Sequence, residues 1–313
     1  MSDINIKQLA IAIFILILIF GVSFVTQQHQ TAKSRVVKGV QSSNLNLPIA
    51  QFSQIPIQIN QVPAPQKSNF SALIDQNSKI LLYGKDENKT VPVASLTKVA
   101  TALVVADRYQ MDDIVTIGEN AQNTNGSKIF LQAEEKLSVE KLLNALLIMS
   151  ANDAAIALSE FHTTTDEFVA LMNDKAKSLG CTNTFFKDPA GLNDEGYSTA
   201  KEMGILFAEA INNPLISSII NLPEKTISSD KRDYKLENSN RLVKDEMYLD
   251  GIIGGKTGFT PTSGHNLVTA VKRHDNTLIA VVIKTFSSTP TASAEAAKDL
   301  INWGFANWQW QEI

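Results

Sequence analysis

Two β-rich stretches, one near each end of the globular part of the chain, constrain its fold more than any other feature. Residues 70–86 contain two short apolar runs around a turn at residues 75–78, a pattern typical of a β-hairpin. A second hairpin pattern follows residue 251, with strands on either side of residues 274–276. Because strands at both ends of the sequence need partners, we expect an antiparallel sheet that pairs N-terminal with C-terminal segments in a mixed α/β fold.

Apolar side chains at helical spacing fill the middle of the chain. They run from residue 138 to the mid-180s and again over residues 198–211. We therefore predict a mostly helical subdomain, at roughly residues 110–235, inserted between the β segments and packed with the sheet. A further helix is expected near the C-terminus. With 313 residues, of which 44% are hydrophobic, the chain can bury a full-sized core.

An apolar stretch without charge, residues 9–25, follows a short N-terminal segment of residues 1–8. As a helix it would span about 26 Å, which is enough to cross most of a bilayer core. We expect an uncleaved transmembrane signal anchor. A cleaved secretory signal ending near Ser23 and a buried soluble helix are the alternatives. The basic residues that follow the span would, taken alone, place the C-terminal side in the cytoplasm.

A segment rich in Gln, Asn, Ser and Pro, residues 26–67, separates the apolar stretch from the globular domain, which we place at residues 68–313. Its composition predicts a flexible tether. The alternation of Ile55, Ile57 and Ile59 leaves open a second possibility, an extended arm packed on the domain.

The charge and cysteine content exclude several kinds of partner. The net charge is −4 and no long basic run is present, which argues against a nucleic-acid partner. The single cysteine, Cys181, cannot form an intrachain disulfide and has no metal-ligand spacing around it. We therefore expect a domain that folds and acts without a metal ion or a cofactor.

Ser95 and Lys98 stand three residues apart at the start of an apolar helical pattern. On a helix this spacing places a hydroxyl and an amine on one face, where a neutral lysine could accept the hydroxyl proton. The apolar run after Lys98 would bury the amine and lower its pKa. The alternative is a helix cap followed by an ordinary surface lysine.

Two further polar groups interrupt apolar surroundings. Ser150, Asn152 and Asp153 lie within an apolar helical stretch. Burial of such polar side chains destabilises the fold unless they are hydrogen-bonded, so they are either satisfied by partners or kept for function. Lys256, followed by Thr257 and Gly258, lies on a predicted strand and could hold a carboxylate. The alternatives are a helix cap for the first group and a bulged strand with an exposed lysine for the second.

The three motifs S-x-x-K, S-x-N and K-T-G occur in this order, about 55 and 105 residues apart, and together they are specific. The chain resembles the serine D-alanyl-D-alanine carboxypeptidases, the low-molecular-mass penicillin-binding proteins. The resemblance covers roughly residues 70–308. It is carried by the motifs and by residues 126–155, 179–192, 238–243 and 250–268.

The resemblance implies a β-lactamase/transpeptidase-like fold and a covalent mechanism. Ser95 would attack the carbonyl between the two D-alanines of a peptidoglycan stem peptide, and Lys98 would take the hydroxyl proton. Ser150 would relay a proton to the departing D-alanine. Asn152 would bind the substrate amide.

The remaining site residues implied by the resemblance lie around the third motif. Lys256 and Thr257 would hold the terminal carboxylate of the substrate. Gly258 would let the substrate backbone approach the strand, and the backbone N–H groups of Phe259 and Ser95 would form an oxyanion hole.

The partners implied are the stem peptide, β-lactams as covalent inhibitors, and a membrane contacted through the N-terminal segment. Because peptidoglycan lies outside the cytoplasmic membrane, the resemblance implies a single-pass membrane protein with an extracytoplasmic domain. The alternatives are a D,D-endopeptidase, a serine β-lactamase, and an inactive peptidoglycan-binding or β-lactam-sensing module. A β-lactamase of this kind would need a glutamate that activates the deacylating water. At the comparable spacing after Ser150 the sequence has Asp188 and no glutamate.

Overall fold

The computed structural model describes residues 54–244 and 247–312, which form mixed α and β structure. The strands are β1 Gln54–Gln58, β2 Ser68–Asp75, β3 Leu81–Lys85, β4 Ile114–Thr116, β5 Lys136–Ser138, β6 Glu224–Ser228, β7 Asp233–Glu237, β8 Ile252–Thr260, β9 Gly264–Arg273, β10 Asn276–Thr285 and β11 Trp308–Glu312. The helices are α1 Lys98–Arg108, α2 Glu119–Asn123, α3 Val139–Ile148, α4 Asn152–Ser159, α5 Thr165–Ser178, α6 Ala200–Asn212, α7 Pro214–Ile220 and α8 Ala292–Asn307. Short 3-10 turns occupy Ala94–Thr97 and Arg241–Val243.

The central sheet has five antiparallel strands in the order β3-β2-β10-β9-β8. Strand β10 pairs with β2 from Leu278 opposite Asp75 to Thr285 opposite Ser68, so N-terminal and C-terminal segments share one sheet. The predicted fold class is confirmed. Strand β8, which carries Lys256, is the outermost strand on one side.

Helices cover both faces of the sheet. On one face, β2 and β10 pack against the helical layer, and on the other face α8 packs against β9 and β10. Helix α1 runs through the middle of the helical layer, and all of its residues from Lys98 to Val105 are buried. A helix surrounded by apolar neighbours on every side buries any charged residue that it carries. This arrangement places Lys98 in the interior.

The inserted subdomain contains α2 to α7, as the helical spacing predicts, together with two small antiparallel pairs, β4 with β5 and β6 with β7. Local sequence sets several helix starts. Thr164 and Glu167 form a reciprocal capping box at α5, and the Ser138 hydroxyl accepts the N–H of Lys141 at α3. These two small strand pairs were not predicted. Strands of three to five residues are too short for a clear alternation of apolar and polar side chains.

The predicted tether is wrong for its last part, where the extended arm describes the chain instead. Strand β1 pairs antiparallel with β11, with Gln54 opposite Glu312 and Gln58 opposite Trp308. The Nε1 of Trp303 donates to the carbonyl of Val62 at 2.8 Å. The domain therefore begins by Gln54 and not at residue 68, because the C-terminal strand offers a backbone edge that β1 satisfies.

The predicted N-terminal segment, signal anchor and first part of the tether fall on residues 1–53, outside the described residues. Among residues 54–244 and 247–312, no single helix is long and apolar enough to cross a membrane. Helices α6 and α7 satisfy the length and composition criteria only as a pair, which is bent by 105°.

Candidate active site

Ser95 and Lys98 meet in the structure as their spacing predicts. The Nζ of Lys98 lies 2.8 Å from the Oγ of Ser95. Ser95 sits in the 3-10 turn that leads into α1, and the N-cap of α1 is Thr97, so the helix-cap alternative for Ser95 is wrong. Ala94, directly before the serine, has a φ of 50°, a strained conformation of the kind that often occurs beside functional groups.

Lys98 is fully buried, so the surface-lysine alternative is also wrong. Burial lowers the pKa of Lys98 to about 7, against the carboxylates of Asp188 and Asp153, which act to raise it. Its Nζ also contacts the Oδ1 of Asn152 and the carbonyl oxygen of Ala190, both at 2.7 Å. An amine of this pKa can accept a proton from a hydroxyl near neutral pH.

Ser150 and Lys256 form a second hydroxyl and amine pair. The Nζ of Lys256 donates to the Oγ of Ser150 at 2.7 Å and to the carbonyl of Thr257 at 2.9 Å. Lys256 is 1% exposed, so it is not the exposed lysine of a bulged strand. Burial and then the positive charge of Lys98 lower its pKa well below the ordinary value.

Ser150 stands in the turn between α3 and α4 with a φ of 63°. The N-cap of α4 is Ala151 and has no side-chain cap bond, so neither Ser150 nor Asn152 caps this helix. The amide of Asn152 instead bridges Lys98 and the carbonyl of Asn125, to which its Nδ2 donates at 2.7 Å. The polar residues that interrupt the apolar stretch are thus hydrogen-bonded across the domain.

Asp153 organises one wall of the site. Its buried carboxylate accepts the backbone N–H groups of Ile129, Leu131 and Ala154. Burial raises the pKa of this carboxyl, and the backbone donors act in the opposite direction. These bonds hold the segment that follows Gly126, which reaches the site.

The pairs open into a cavity of about 460 Å³ beside β8. Gly258 allows a close approach, because a Cβ at this position would lie 2.9 Å from the carbonyl oxygen of Val93 and 3.2 Å from the backbone nitrogen of Ser95. The cavity is lined by Ser95, Gly126, Ser127, Met149, Ser150, Ser239, Arg241, Thr257, Gly258, Phe259, His265, Asn266, Pro290 and Ser293. Three predicted residues lie behind this lining. Lys98 bonds to Ser95 and to Asn152, and Lys256 bonds to Ser150. The predicted site residues therefore converge on one place.

Several lining residues were not predicted. Ser239 shares a 2.6 Å hydrogen bond with the hydroxyl of Thr257, and Arg241 lies two residues further along. The ring of His265 lies against that of Phe259, with 4.5 Å between the ring centroids. Ser239 and Arg241 belong to residues 238–243, one of the stretches that carry the family resemblance. That resemblance could have pointed to them as site residues.

The loop of residues 188–193 contacts Lys98 through the carbonyl oxygen of Ala190. The carboxylate of Asp188 accepts backbone N–H groups from Ala190, Gly191, Leu192 and Asn193 at 2.6–3.1 Å. Its acceptor positions are thereby used by its own loop. This is not the arrangement of a carboxylate aimed at a deacylating water, which argues against the β-lactamase alternative.

Within residues 54–244 and 247–312, no group of three His, Cys, Asp or Glu side chains could hold a metal ion. The chemistry available is that of two hydroxyls, each paired with a buried amine of lowered pKa. Such pairs suit nucleophilic attack on a carbonyl and proton transfer to a leaving group.

Comparison with known proteins agrees with this geometry. The family model described as D-alanyl-D-alanine carboxypeptidase, peptidase family S11, matches residues 58–287. D-alanyl-D-alanine carboxypeptidase DacF of Bacillus subtilis is 34% identical over 248 residues, which cover 76% of this chain and 62% of the relative. A protein named D-alanyl-D-alanine endopeptidase in Pseudomonas aeruginosa is 32% identical over 222 residues, which cover 69% of this chain and 71% of the relative.

A solved structure of a D-alanyl-D-alanine carboxypeptidase from Mycobacterium tuberculosis H37Rv superposes with a TM-score of 0.74 at 30% identity. The match covers 80% of this chain and 95% of that one. The chain spans 62% of the length of its Bacillus relative. The range that the family model matches contains all three motifs. The chain therefore belongs to the D-alanyl-D-alanine carboxypeptidase family of serine peptidases, family S11.

Proposed function

We propose that the protein is a serine D-alanyl-D-alanine carboxypeptidase that removes the terminal D-alanine from peptidoglycan stem peptides through an acyl-enzyme. The observation that carries this proposal is the 2.8 Å contact between Ser95 Oγ and the buried amine of Lys98, whose pKa is lowered to about 7. A nucleophile with an adjacent base of matched pKa is what acyl transfer at neutral pH requires.

In the acylation step, Lys98 takes the hydroxyl proton as Ser95 Oγ forms a bond to the carbonyl carbon of the penultimate D-alanine. The negative charge that develops on the carbonyl oxygen is stabilised by backbone N–H groups of Ser95 and Phe259. The C–N bond then breaks. The departing amine of D-alanine receives the proton that Lys98 took, passed on through Ser150, which Lys256 holds at 2.7 Å. Lys98 is then neutral again for the next step.

In the deacylation step, water attacks the ester. Its hydroxyl joins the acyl carbon and its proton returns, through Lys98, to the Oγ of Ser95. Until the C–N bond breaks, the terminal carboxylate of the substrate is held near Thr257, whose hydroxyl bonds to Ser239 and which adjoins the buried Lys256. It then leaves with the D-alanine. A β-lactam presents the same kind of amide, so we expect it to acylate Ser95.

Covalent labelling tests the assignment of the nucleophile. Wild-type protein is expected to bind a fluorescent penicillin on the peptide that contains Ser95, as identified by mass spectrometry, whereas Ser95→Ala is expected to remain unlabelled. A thermal melt of the variant provides the control for folding. Labelling of the variant at another cavity serine, such as Ser150 or Ser239, would refute the assignment.

Product analysis tests the reaction itself. A synthetic acylated tripeptide ending in D-alanyl-D-alanine is expected to lose one D-alanine, and a D,D-cross-linked peptide dimer is expected to react more slowly. Faster cleavage of the dimer would favour the endopeptidase alternative. Absence of both activities in a protein that still binds penicillin would favour a sensing module.

We further propose that the domain lies outside the cytoplasmic membrane and that residues 9–25 anchor it. Cross-linked peptidoglycan is located on that side, and the length and apolar character of the segment support a membrane span. The full chain should remain with membranes after a high-salt wash, and its N-terminal peptide should begin near Met1. A mature start at Phe24 would instead show a cleaved and secreted enzyme.

A further inference from the structure

Two carbonyl-type oxygens orient the amine of Lys98. Its Nζ has three polar neighbours within 2.8 Å, namely Asn152 Oδ1, the carbonyl oxygen of Ala190, and Ser95 Oγ. A neutral amine has two N–H donors and one lone pair. When the two N–H groups point to the oxygens of Asn152 and Ala190, the lone pair remains for the hydroxyl proton of Ser95.

The Ala190 carbonyl is held in place by a loop that is tied to α1 at several points. Thr101, one turn after Lys98, donates to the carbonyl of Pro189 at 2.6 Å, so one face of α1 binds two successive carbonyls of the loop. Gly191 lies so close to the nucleophile turn that a Cβ there would stand 2.0 Å from the carbonyl oxygen of Ala94. A small displacement of this loop therefore moves the acceptor of Lys98.

Asp188 fixes the shape of that loop. Its Oδ1 accepts the N–H groups of Ala190, Gly191 and Leu192, and its Oδ2 accepts those of Leu192 and Asn193. Successive backbone donors that converge on one carboxylate leave the carbonyl groups of the same residues pointing away from it. The Ala190 carbonyl is in this way turned toward Lys98 and away from solvent.

We propose that Asp188 is a positioning residue for acylation, which acts through the Ala190 carbonyl to aim the lone pair of Lys98 at Ser95. This inference rests on the function proposed above and adds a residue that none of the three motifs contains. Asp188 is not a catalytic residue, because it touches neither Ser95 nor Lys98.

The charge of Asp188 provides a readout that a purely structural role would not change. Lys98 is faced by Asp188 from the loop, by Asp153 from α4 and by Lys256 from β8. The Asp188 carboxylate favours the protonated amine and so raises the pKa of Lys98. Acylation needs the neutral amine, so its rate falls as pH drops below this pKa. Removal of the charge should move that acid limb to lower pH.

The experiment measures the rate of acylation by a fluorescent penicillin as a function of pH for wild type and three variants. Asp188→Ala loses the acceptor and the charge, and we expect its plateau rate to fall by about tenfold or more. Asp188→Asn keeps an oxygen for the donors of Ala190 and Gly191. We expect its plateau rate to stay within about threefold of wild type, with an acid limb at lower pH.

Glu195→Gln is the control, because it removes a nearby exposed carboxylate, which forms an ion pair with Lys187 at 3.4 Å. Its rate and acid limb should match those of wild type. The proposal is overturned if Asp188→Ala keeps the wild-type plateau, even with a shifted acid limb, because a shifted limb alone would show a charge effect without positioning. Failure of wild-type protein to be acylated at Ser95 would refute the proposed function, which is a separate outcome.

Discussion

Replacement of Gly191 by alanine should slow acylation strongly while leaving a folded protein. Gly191 has a φ of +75°, and a Cβ there would lie 2.0 Å from the carbonyl oxygen of Ala94 and 2.8 Å from Thr97 Oγ1. Since ordinary contact begins near 3.4 Å, the two backbones would have to separate by roughly 1.4 Å. That movement would carry the Ala190 carbonyl away from Lys98.

The magnitude follows from two contributions. The left-handed conformation costs an alanine about 1–2 kcal/mol, and the overlap costs about 1–3 kcal/mol. The free energy of unfolding should therefore decrease by roughly 2–5 kcal/mol, which corresponds to about 2–4 °C in Tm for each kcal/mol. A misplacement of about 1 Å near reacting groups should slow acylation by roughly tenfold to a hundredfold.

Gly180→Ala is the matched control for this prediction. Gly180 has a φ of +80°, but a Cβ there would meet nothing within 4 Å. Its alanine variant should lose about 1–2 kcal/mol and acylate at the wild-type rate. Thermal melts and the acylation rate with a fluorescent penicillin measure both effects. If Gly191→Ala loses no more stability than Gly180→Ala and acylates normally, the close approach of the loop to the nucleophile turn does not position the base.

Three further outcomes are expected. Lys256→Ala should impair cleavage of substrates with a free terminal carboxylate roughly tenfold or more beyond its effect on amidated substrates; equal losses would mean that Lys256 acts through Ser150 or the fold. Removal of residues 54–67 should lower the unfolding free energy by about 2–4 kcal/mol in melts, because β11 loses its partner, with unchanged activity per folded molecule; an unchanged Tm would contradict this. Burial raises the pKa of Cys181 to about 12, so a thiol reagent should label it only after unfolding in urea; rapid labelling of the native protein would show that the thiol is accessible.

Much of the architecture could be predicted because it depends on short-range patterns. The two hairpins follow from turn residues between apolar runs, and α8 follows from helical spacing. The role of β1 could not be predicted in the same way. Its partner, β11, is about 250 residues away, and a sequence rich in Gln and Pro is compatible with both a tether and an edge strand.

The candidate site also has one part that the sequence predicted and one part that it left open. The order and spacing of the three motifs, with the family resemblance that they carry, predicted Ser95, Lys98, Ser150 and Lys256 as site residues. The sequence left open whether each lysine is buried or exposed, because a surface lysine and a catalytic base can share one local pattern. The tertiary structure decided this by burying both amines and giving each of them hydrogen-bond partners.

The sequence by itself determined which reactive groups are present and in what order they occur along the chain. Only the tertiary structure determined the pKa values of these groups and the direction in which they point. The pKa of Lys98 depends on burial in the helical layer and on carboxylates of two other segments. Its orientation depends on Asn152 and Ala190, which lie 54 and 92 residues along the chain. Local propensity acts over a few residues, whereas desolvation and hydrogen bonding act between whichever groups the fold brings into contact.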